Sequence, residues 1–536
     1  MSNRTVQEVT FDLLRALDMK TMFGNPGSTE EPFLKNFPAD FEYILGLQEA
    51  SVVAMADGFA QATNKPAFVN LHTSAGTGNA MGTLITAFLN KTPLIVTAGQ
   101  QTRKMIICDP FLTNRDETTL PKPWVKWAYQ PVRAEDVPAA IMRGYTIALQ
   151  PPAGPVYISI PLDDWDRQAL GPAVVRTVSQ RVSADPERIA EFADRIGKSK
   201  TPVLIYGAEI DRSQGWEEAV RLAELLRAPV YTAPFCERGA FPENHPQYQG
   251  ALAPAIGPLS KTLSGHDLAI VIGAPVFRYY PYVEGNYLPD GTELIQITCD
   301  PGDAGAACVG DSILSDVKLA MTNLIELVPK QSNWKLPPPR KLDRGQLAAS
   351  GDTLTPDQMY AALSELRPEE VIVMHETPSN YTQLLKWWPT IKPNSFFTAA
   401  SGGLGWNLPA AVGIALAESK TEKPRPVVLF IGDGSFQYSV QGIYTAVQHK
   451  LKIVYVVPCN EEYAILKSFA ELEKTPGVPG LDLPGLDVVS TAKGFGCPGV
   501  RAGSIEEIKN AFAQALKADG PTVIAIPITK GFKPLV

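Results

Sequence analysis

Apolar residues along this chain fall into short runs of three to six, separated by longer stretches of helical periodicity. The early runs are Thr21-Met22-Phe23, Tyr43-Ile44-Leu45, Ala67-Phe68-Val69-Asn70, Leu94-Ile95-Val96-Thr97 and Val156-Tyr157-Ile158-Ser159-Ile160. Runs this short and this apolar, alternating with helices, predict strands of a parallel sheet covered on both faces. The alternation recurs from about Asp185, with Pro202-Val203-Leu204-Ile205-Tyr206 and the run Leu268 to Gly273. It recurs again after residue 350 in Val371 to Met374, Val427 to Ile431, Ile453 to Val457 and Val523 to Ile526. A stretch from Trp334 to Arg340 with three consecutive prolines predicts an extended spacer between the second and third blocks. The expected fold is therefore α/β, three doubly wound parallel-sheet domains over residues 1–180, 181–340 and 341–536.

Composition narrows the classes of function. A chain of 536 residues, 45% hydrophobic and 19% charged, can build several large cores. Its net charge of −8 and the lack of any basic run argue against nucleic acid as a partner. No apolar run approaches the ~20 residues of a membrane span. The first residues, MSNRTVQEVTFDLLRAL, read as an amphipathic helix rather than a targeting segment, so a cytoplasmic protein is expected. Six cysteines stand far apart with no CxxC pair, which predicts reduced thiols, mostly buried.

Candidate chemistry starts with Gly432-Asp433-Gly434-Ser435 and with Asn460, 27 positions after Asp433. Between them lie a helix-like segment, Ser439 to His449, and the strand-like run Ile453 to Val457. Two turns at neighbouring strand ends thus offer a carboxylate, an amide and glycine-freed backbone N–H groups to one spot. In open parallel sheets, ligands bind beyond such carboxyl ends. Hard oxygen donors and backbone dipoles suit a Mg²⁺-bound diphosphate. A Gly-Asp-Gly alone is an ordinary turn; the second, correctly spaced turn makes the difference.

This spacing resembles the thiamine diphosphate (ThDP) signature. The first block contains Phe23-Gly24-Asn25-Pro26-Gly27-Ser28, Leu47-Gln48-Glu49-Ala50 and Asn70 to Asn79, which reads NLHTSAGTGN. These segments look like the pyrimidine-binding domain of ThDP-dependent 2-oxo acid decarboxylases, in the benzoylformate-cleaving branch. The likeness runs through essentially the whole chain, including Thr97 to Arg103, Val271 to Tyr279 and Val478 to Asp482.

The resemblance implies roles, residue by residue. Glu49 matches the glutamate that hydrogen-bonds the aminopyrimidine ring. Leu404 matches the bulky residue that bends the cofactor, and Gly402 offers its carbonyl to the 4′-amino group. Asp433, Asn460 and the backbone carbonyl of Glu462 would ligate Mg²⁺ (or Ca²⁺). Gly434, Ser435 and Ser379 would meet the phosphates, with Tyr463 alongside. The side-chain charge of Glu462 must then point away from the diphosphate or toward the metal. Cys459 stands where the family often has Asn. Ser28 and His72 match residues that handle the substrate carboxylate and carbonyl; His titrates near neutrality and can move protons. His72 has no histidine neighbour in sequence, which argues against a zinc site.

Phe111, Leu112, Ile465, Leu466 and Phe469 match pocket-lining positions and suit an aryl or branched 2-oxo acid. Ala464 and Ile465 replace a smaller Gly-Ala pair, so a shifted or tighter pocket is expected.

Tyr280 departs from the pattern. The family run Val-Phe-Arg-Tyr continues into a histidine; here Val276-Phe277-Arg278-Tyr279 continues into Tyr280. A phenol with a pKa near ~10 donates hydrogen bonds but is a poor base at neutral pH. Three readings follow. The first is a decarboxylase releasing aldehyde and CO₂ that also forms some 2-hydroxy ketone. The second is a carboligase or lyase, as in acetohydroxyacid synthases or 2-hydroxyacyl-CoA lyases. The third is a ThDP-binding relative without turnover. Glu49 and Asp433 lie in different domains, which in this family face each other across a subunit interface. A homodimer is the minimum implied, and a homotetramer the family expectation.

Overall fold

The computed structural model describes residues 4–116, 118–330, 335–341, 344, 347, 353–532, 534 and 535. Trp334, at the start of the expected spacer, lies outside them. The described residues form two compact units, one from 1–178, 350–379 and 401–533, the other from 179–349, 380–400 and 534–536.

The first unit opens with a six-stranded sheet. Its strands are β1 (Thr21–Gly24), β2 (Glu42–Leu45), β3 (Ala67–Leu71), β4 (Leu94–Gln100), β5 (Ala128–Tyr129) and β6 (Val156–Pro161). They run parallel in the order β2-β1-β3-β4-β6-β5. Every residue of β3, β4 and β6 is buried, as expected of strands covered on both faces.

The second unit holds β7 (Pro202–Tyr206), β8 (Val230–Thr232), β9 (Tyr248–Ala251), β10 (Leu268–Ile272), β11 (Glu293–Thr298) and β12 (Asp311–Leu314). This sheet too is parallel, ordered β12-β11-β10-β7-β8-β9. Its buried polar centre is a set of ion pairs. Arg238 meets Asp211 at 2.8 Å, and Glu237 is gripped by Arg212 and by Arg278 at 3.1 Å.

A third sheet belongs to the first unit. It includes β13 (Ile372–Glu376) and, after the short strand β14 (Phe396–Phe397) of the second unit, β15 (Val427–Ile431), β16 (Ile453–Cys459), β17 (Gly499–Arg501) and β18 (Thr522–Pro527). Five of these run parallel in the order β13-β15-β16-β18-β17. The register pairs Glu376 with Ile431, the last residues of β13 and β15. The turns that follow both strands therefore emerge side by side.

Two helices, Glu49–Thr63 and Asn407–Ser419, cross inside the first unit at backbone contact. A Cβ on Gly413 would lie 1.8 Å from the Met55 carbonyl oxygen, and one on Gly58 2.2 Å from that of Ala410. Only glycine permits this approach. Asp57 is sealed in the same region. It accepts from Gln61 (2.9 Å), Asn90 (2.8 Å) and the Trp406 indole (2.7 Å), which satisfies an otherwise costly buried carboxylate.

The expected N-terminal helix forms over Val6–Ala16, with Thr5 and Glu8 in a capping box. One expectation fails. All six cysteines are free, but only Cys236 and Cys497 are buried, while Cys108 and Cys308 are exposed. Both exposed thiols lie on connecting segments outside helices and strands, where no core is available to take up a small apolar side chain.

Candidate active site

Beyond β1 and β3 a buried carboxylate organises the first half of the site. Glu30 is 1% exposed, and its two oxygens receive four donors. Oε1 accepts from Thr29 Oγ1 (2.7 Å) and Gly99 N (2.9 Å). Oε2 accepts from Gly27 N (3.0 Å) and lies 2.8 Å from His72 Nδ1. With Nδ1 donating to Glu30, the Nε2 face of His72 is the one left to exchange a proton. His72 ends β3 and precedes helix Thr73–Leu89. Thr73, directly after it, has φ +44°, a strained value for a β-branched residue. Ser28 lies two residues before Glu30 and is exposed. Sequence reasoning named Ser28 and His72 but not Glu30, because a carboxylate in STEEP looks like the solvated start of a helix.

Glu49 is the first residue of its helix and only 8% exposed, so it is not a solvated surface residue. Gln48 caps that helix, its Oε1 accepting from Ala50 N at 2.7 Å. Asn25 and Asn79 donate to the two Glu49 oxygens at 3.3 and 3.0 Å. A Cβ on Gly76 would sit 3.2 Å from Glu49 Cγ, so glycine gives the carboxylate its room.

The second half lies beyond β15 and β16. Asp433 is 3% exposed, and burial raises its carboxyl pKa against two backbone donors. These are Gly434 N to Oδ1 (2.9 Å) and Glu461 N to Oδ2 (2.8 Å). Asn460 immediately follows β16, and its Oδ1 accepts from Glu462 N at 3.3 Å. Between them Glu461 holds φ +55°, the left-handed bend that turns its N–H onto Asp433. The Glu462 carboxylate is engaged elsewhere, by Lys467 and by Gly531 N at 2.6 Å. Asp433 and Asn460 thus place side-chain oxygens at neighbouring strand ends, donors of the kind Mg²⁺ takes. Burial pushes the Cys459 thiol up to about 12, so this position adds no anion.

Gly434 is needed on contact grounds, since a Cβ there would lie 2.7 Å from Tyr463 Cε1 and 2.8 Å from Leu483 Cδ1. Ser435 is buried beside it. Ser379 is exposed in the turn after β13. Gly402 has φ +68° and Leu404 is half-buried in the loop that leads into helix Asn407–Ser419. Another residue that sequence reasoning missed, Glu376, holds that loop: Oε1 accepts from Gly405 N (2.7 Å), Oε2 from Asn407 N (2.9 Å).

The apolar candidates are less gathered. Phe111 is 88% exposed and Leu466 44%, while Ile465 and Phe469 are half-buried on helix Ala464–Leu472. Leu112 has φ +59°. Tyr280, in the second unit, is 60% exposed, and its N–H donates to Pro254 O at 2.7 Å. Among the described residues no hydrogen bond joins the Glu49 and His72 clusters to the Asp433 cluster. No helix among them is long and apolar enough to cross a membrane.

Residues 4–115 match the N-terminal TPP binding domain of thiamine pyrophosphate enzymes. Residues 189–324 match the central domain of the same enzymes, and residues 379–526 their C-terminal TPP binding domain. Benzoylformate decarboxylase of Pseudomonas aeruginosa is 43% identical over 530 residues, covering 98% of this chain and 99% of that protein. A probable acetolactate synthase large subunit of Methanocaldococcus jannaschii is 26% identical, over 97% of this chain and 91% of that one. Among solved structures, benzoylformate decarboxylase from Polynucleobacter necessarius superposes with a TM-score of 0.96 at 53% identity, over 99% of this chain and all of that one. The 4-hydroxybenzoylformate decarboxylase of Rhodococcus jostii RHA1 gives 0.94 at 40% identity, over 98% and 99%.

Proposed function

We propose a reaction for this chain from the family to which it belongs, the thiamine pyrophosphate enzymes, in the decarboxylase branch that contains benzoylformate decarboxylase. The chain is a ThDP- and Mg²⁺-dependent carboxy-lyase. It decarboxylates an aryl 2-oxo acid of the benzoylformate type without oxidation, releasing aldehyde and CO₂. The observation that supports this reading is the pair Asp433 and Asn460 at neighbouring strand ends, with the Glu462 side chain tied to Lys467 and Gly531; the Glu462 carbonyl is assigned as the third oxygen ligand.

When bound, ThDP supplies the electron sink for the charge left by departing CO₂. The chain's own residues do the rest. Glu49, steadied by Asn25 and Asn79, is assigned the hydrogen bond to the pyrimidine ring. The Gly402 carbonyl and Leu404 are assigned the ring's amino group and its bend. Gly434, Ser435 and Ser379 take the phosphates, flanked by Tyr463. Ser28 orients the substrate carboxylate. His72, its Nδ1 held by Glu30, exchanges a proton through Nε2 at the substrate carbonyl oxygen. Phe111, Leu112, Ile465, Leu466 and Phe469 receive the aryl group. Tyr280 donates a hydrogen bond rather than accepting a proton, which leaves carboligation to 2-hydroxy ketones as a side reaction.

Phe111 and Leu466 are open in one chain, and among the described residues no hydrogen bond joins the Glu49 and His72 clusters to the Asp433 cluster. Both features support a working unit in which each subunit supplies one half, a homodimer at least and a homotetramer in full, acting in the cytoplasm. The proposed domains are 1–180, 181–340 and 341–536.

The test is Glu49→Ala. Positioned acid–base groups contribute ~10²–10⁴ in rate. Turnover should fall by that range with the circular dichroism spectrum unchanged. Full turnover in the variant would overturn the assignment.

A further inference from the structure

We infer that Glu376 is a positioning residue, holding the loop around Leu404 with its carboxylate and the Gly432 turn with its backbone carbonyl. This rests on the functional reading above, in which the first segment meets the cofactor's ring end and the second its diphosphate. One residue then aligns both ends of the cradle.

Glu376 closes β13 in register with Ile431, the last residue of β15. Gly432 N donates to the Glu376 carbonyl at 3.1 Å, so the Gly-Asp-Gly-Ser turn starts from Glu376. The side chain reaches the other way. Oε1 accepts from Gly405 N at 2.7 Å. Oε2 accepts from Asn407 N at 2.9 Å and Asn407 Nδ2 at 3.1 Å. These donors begin one residue after Leu404. Gly405 has φ +98°, and a Cβ there would lie 2.8 Å from Tyr438 Cβ, so the bend it makes admits only glycine. The loop has two more anchors. Trp406 donates to Asp57, and Ser401 Oγ lies 2.9 Å from Thr86 Oγ1. Leu404 itself sits between these fixed points.

Glu376 is 5% exposed, and no cation pairs with it among the described residues. A carboxylate buried in this way costs several kcal/mol unless donors satisfy it. An apolar residue would continue the run Ile372 to Met374 at no such cost. Stability alone therefore does not explain a glutamate; three converging N–H donors do. Burial pushes its carboxyl up to about 7, against the Gly405 and Asn407 donors that work to lower it.

The experiment compares wild type with Glu376→Gln. The amide matches the carboxylate in size but turns one acceptor into a donor, and both oxygens face N–H groups. ThDP affinity is measured by calorimetry with Mg²⁺, and hydrogen exchange is followed in the cofactor-free protein. Loss of a charge-assisted bond predicts a dissociation constant raised about ten- to a hundredfold. Exchange should quicken in 401–407 while the strands stay protected. At saturating cofactor kcat should fall, with KM for the 2-oxo acid within twofold. A variant that binds ThDP as wild type does would overturn the inference alone. A wild type that binds no ThDP would overturn the functional reading and this inference with it. If Glu376→Gln does not fold, Asn407→Ala removes a single donor and should weaken ThDP binding about tenfold; unchanged binding there also refutes the role.

Discussion

Replacing Glu30 by glutamine should invert the proton-handling face of His72 while leaving the fold intact. Glu30 is sealed from solvent, and each oxygen takes two donors between 2.7 and 3.0 Å. A glutamine amide has one acceptor. If its oxygen keeps Thr29 and Gly99, its NH₂ faces Gly27 N–H and His72 Nδ1. The ring can answer only by accepting at Nδ1, which moves its proton to Nε2. Nε2 then donates where it previously accepted. Hydrogen bonds to charged groups contribute about 1.5–3 kcal/mol. If all of that is lost in the transition state, kcat/KM falls about ten- to a hundredfold. The assay is steady-state decarboxylation of benzoylformate, with ThDP affinity and Tm measured in parallel. ThDP affinity should stay near wild type, because Glu30 touches neither cofactor end, while Tm should fall by a few degrees at most, since Gly27 N–H loses its acceptor. His72→Ala sets the scale. If Glu30→Gln kept kcat/KM within threefold of wild type while His72→Ala lost a hundredfold, the pairing would have no role in catalysis.

Asp433→Ala removes the buried carboxylate of the proposed metal site, so added Mg²⁺ should no longer tighten ThDP binding; a titration with and without EDTA reads this, and a persistent Mg²⁺ effect contradicts it. Gly413→Ala would drive a methyl against the Met55 carbonyl, now 1.8 Å from the Cβ position. Overpacking of this kind costs about 1–3 kcal/mol, visible as a Tm lowered by several degrees, and an unchanged Tm would deny the helix contact. Glu237 predicts acid sensitivity in the second unit. Burial works to raise its carboxyl, but Arg212 and Arg278 outweigh it and hold the pKa at about 2, against an ordinary 4.5. A carboxylate depressed on folding contributes stability above the ordinary value and loses it as pH falls from 4.5 toward 2, here about 3 kcal/mol. The Tm of wild type should drop more steeply across that window than the Tm of Glu237→Gln, which starts lower; parallel curves would contradict the pairing.

The central strands of each sheet were legible in the sequence because they are buried on both faces. Pro202–Tyr206 and Val427–Ile431 match their apolar runs residue for residue. The edge strands β5, β9, β12 and β17, and β8 next to β9, escaped because they are two to four residues long and lack a continuous apolar run. The run Val371 to Met374 is in fact a strand ending at Glu376, two residues later. Hydropathy stops at His375, and there the carboxylate that holds the Leu404 loop was lost from view. Glu30 was missed for a related reason. Both acids are buried by donors that come from distant parts of the chain, Gly99 and Asn407 among them, which local pattern cannot reveal. The placement of Asp433 and Asn460 at neighbouring strand ends was legible because parallel strands fix their spacing.

Product release from benzoylformate tests the central claim most directly. The protein is loaded with ThDP and Mg²⁺, and CO₂ and benzaldehyde are both measured, with aliphatic 2-oxo acids alongside. The account predicts that benzoylformate is the faster substrate and that the two products appear nearly one to one, Tyr280 costing only a minor fraction to 2-hydroxy ketone. Bound ThDP with no CO₂ released, or CO₂ with no free aldehyde, would contradict it.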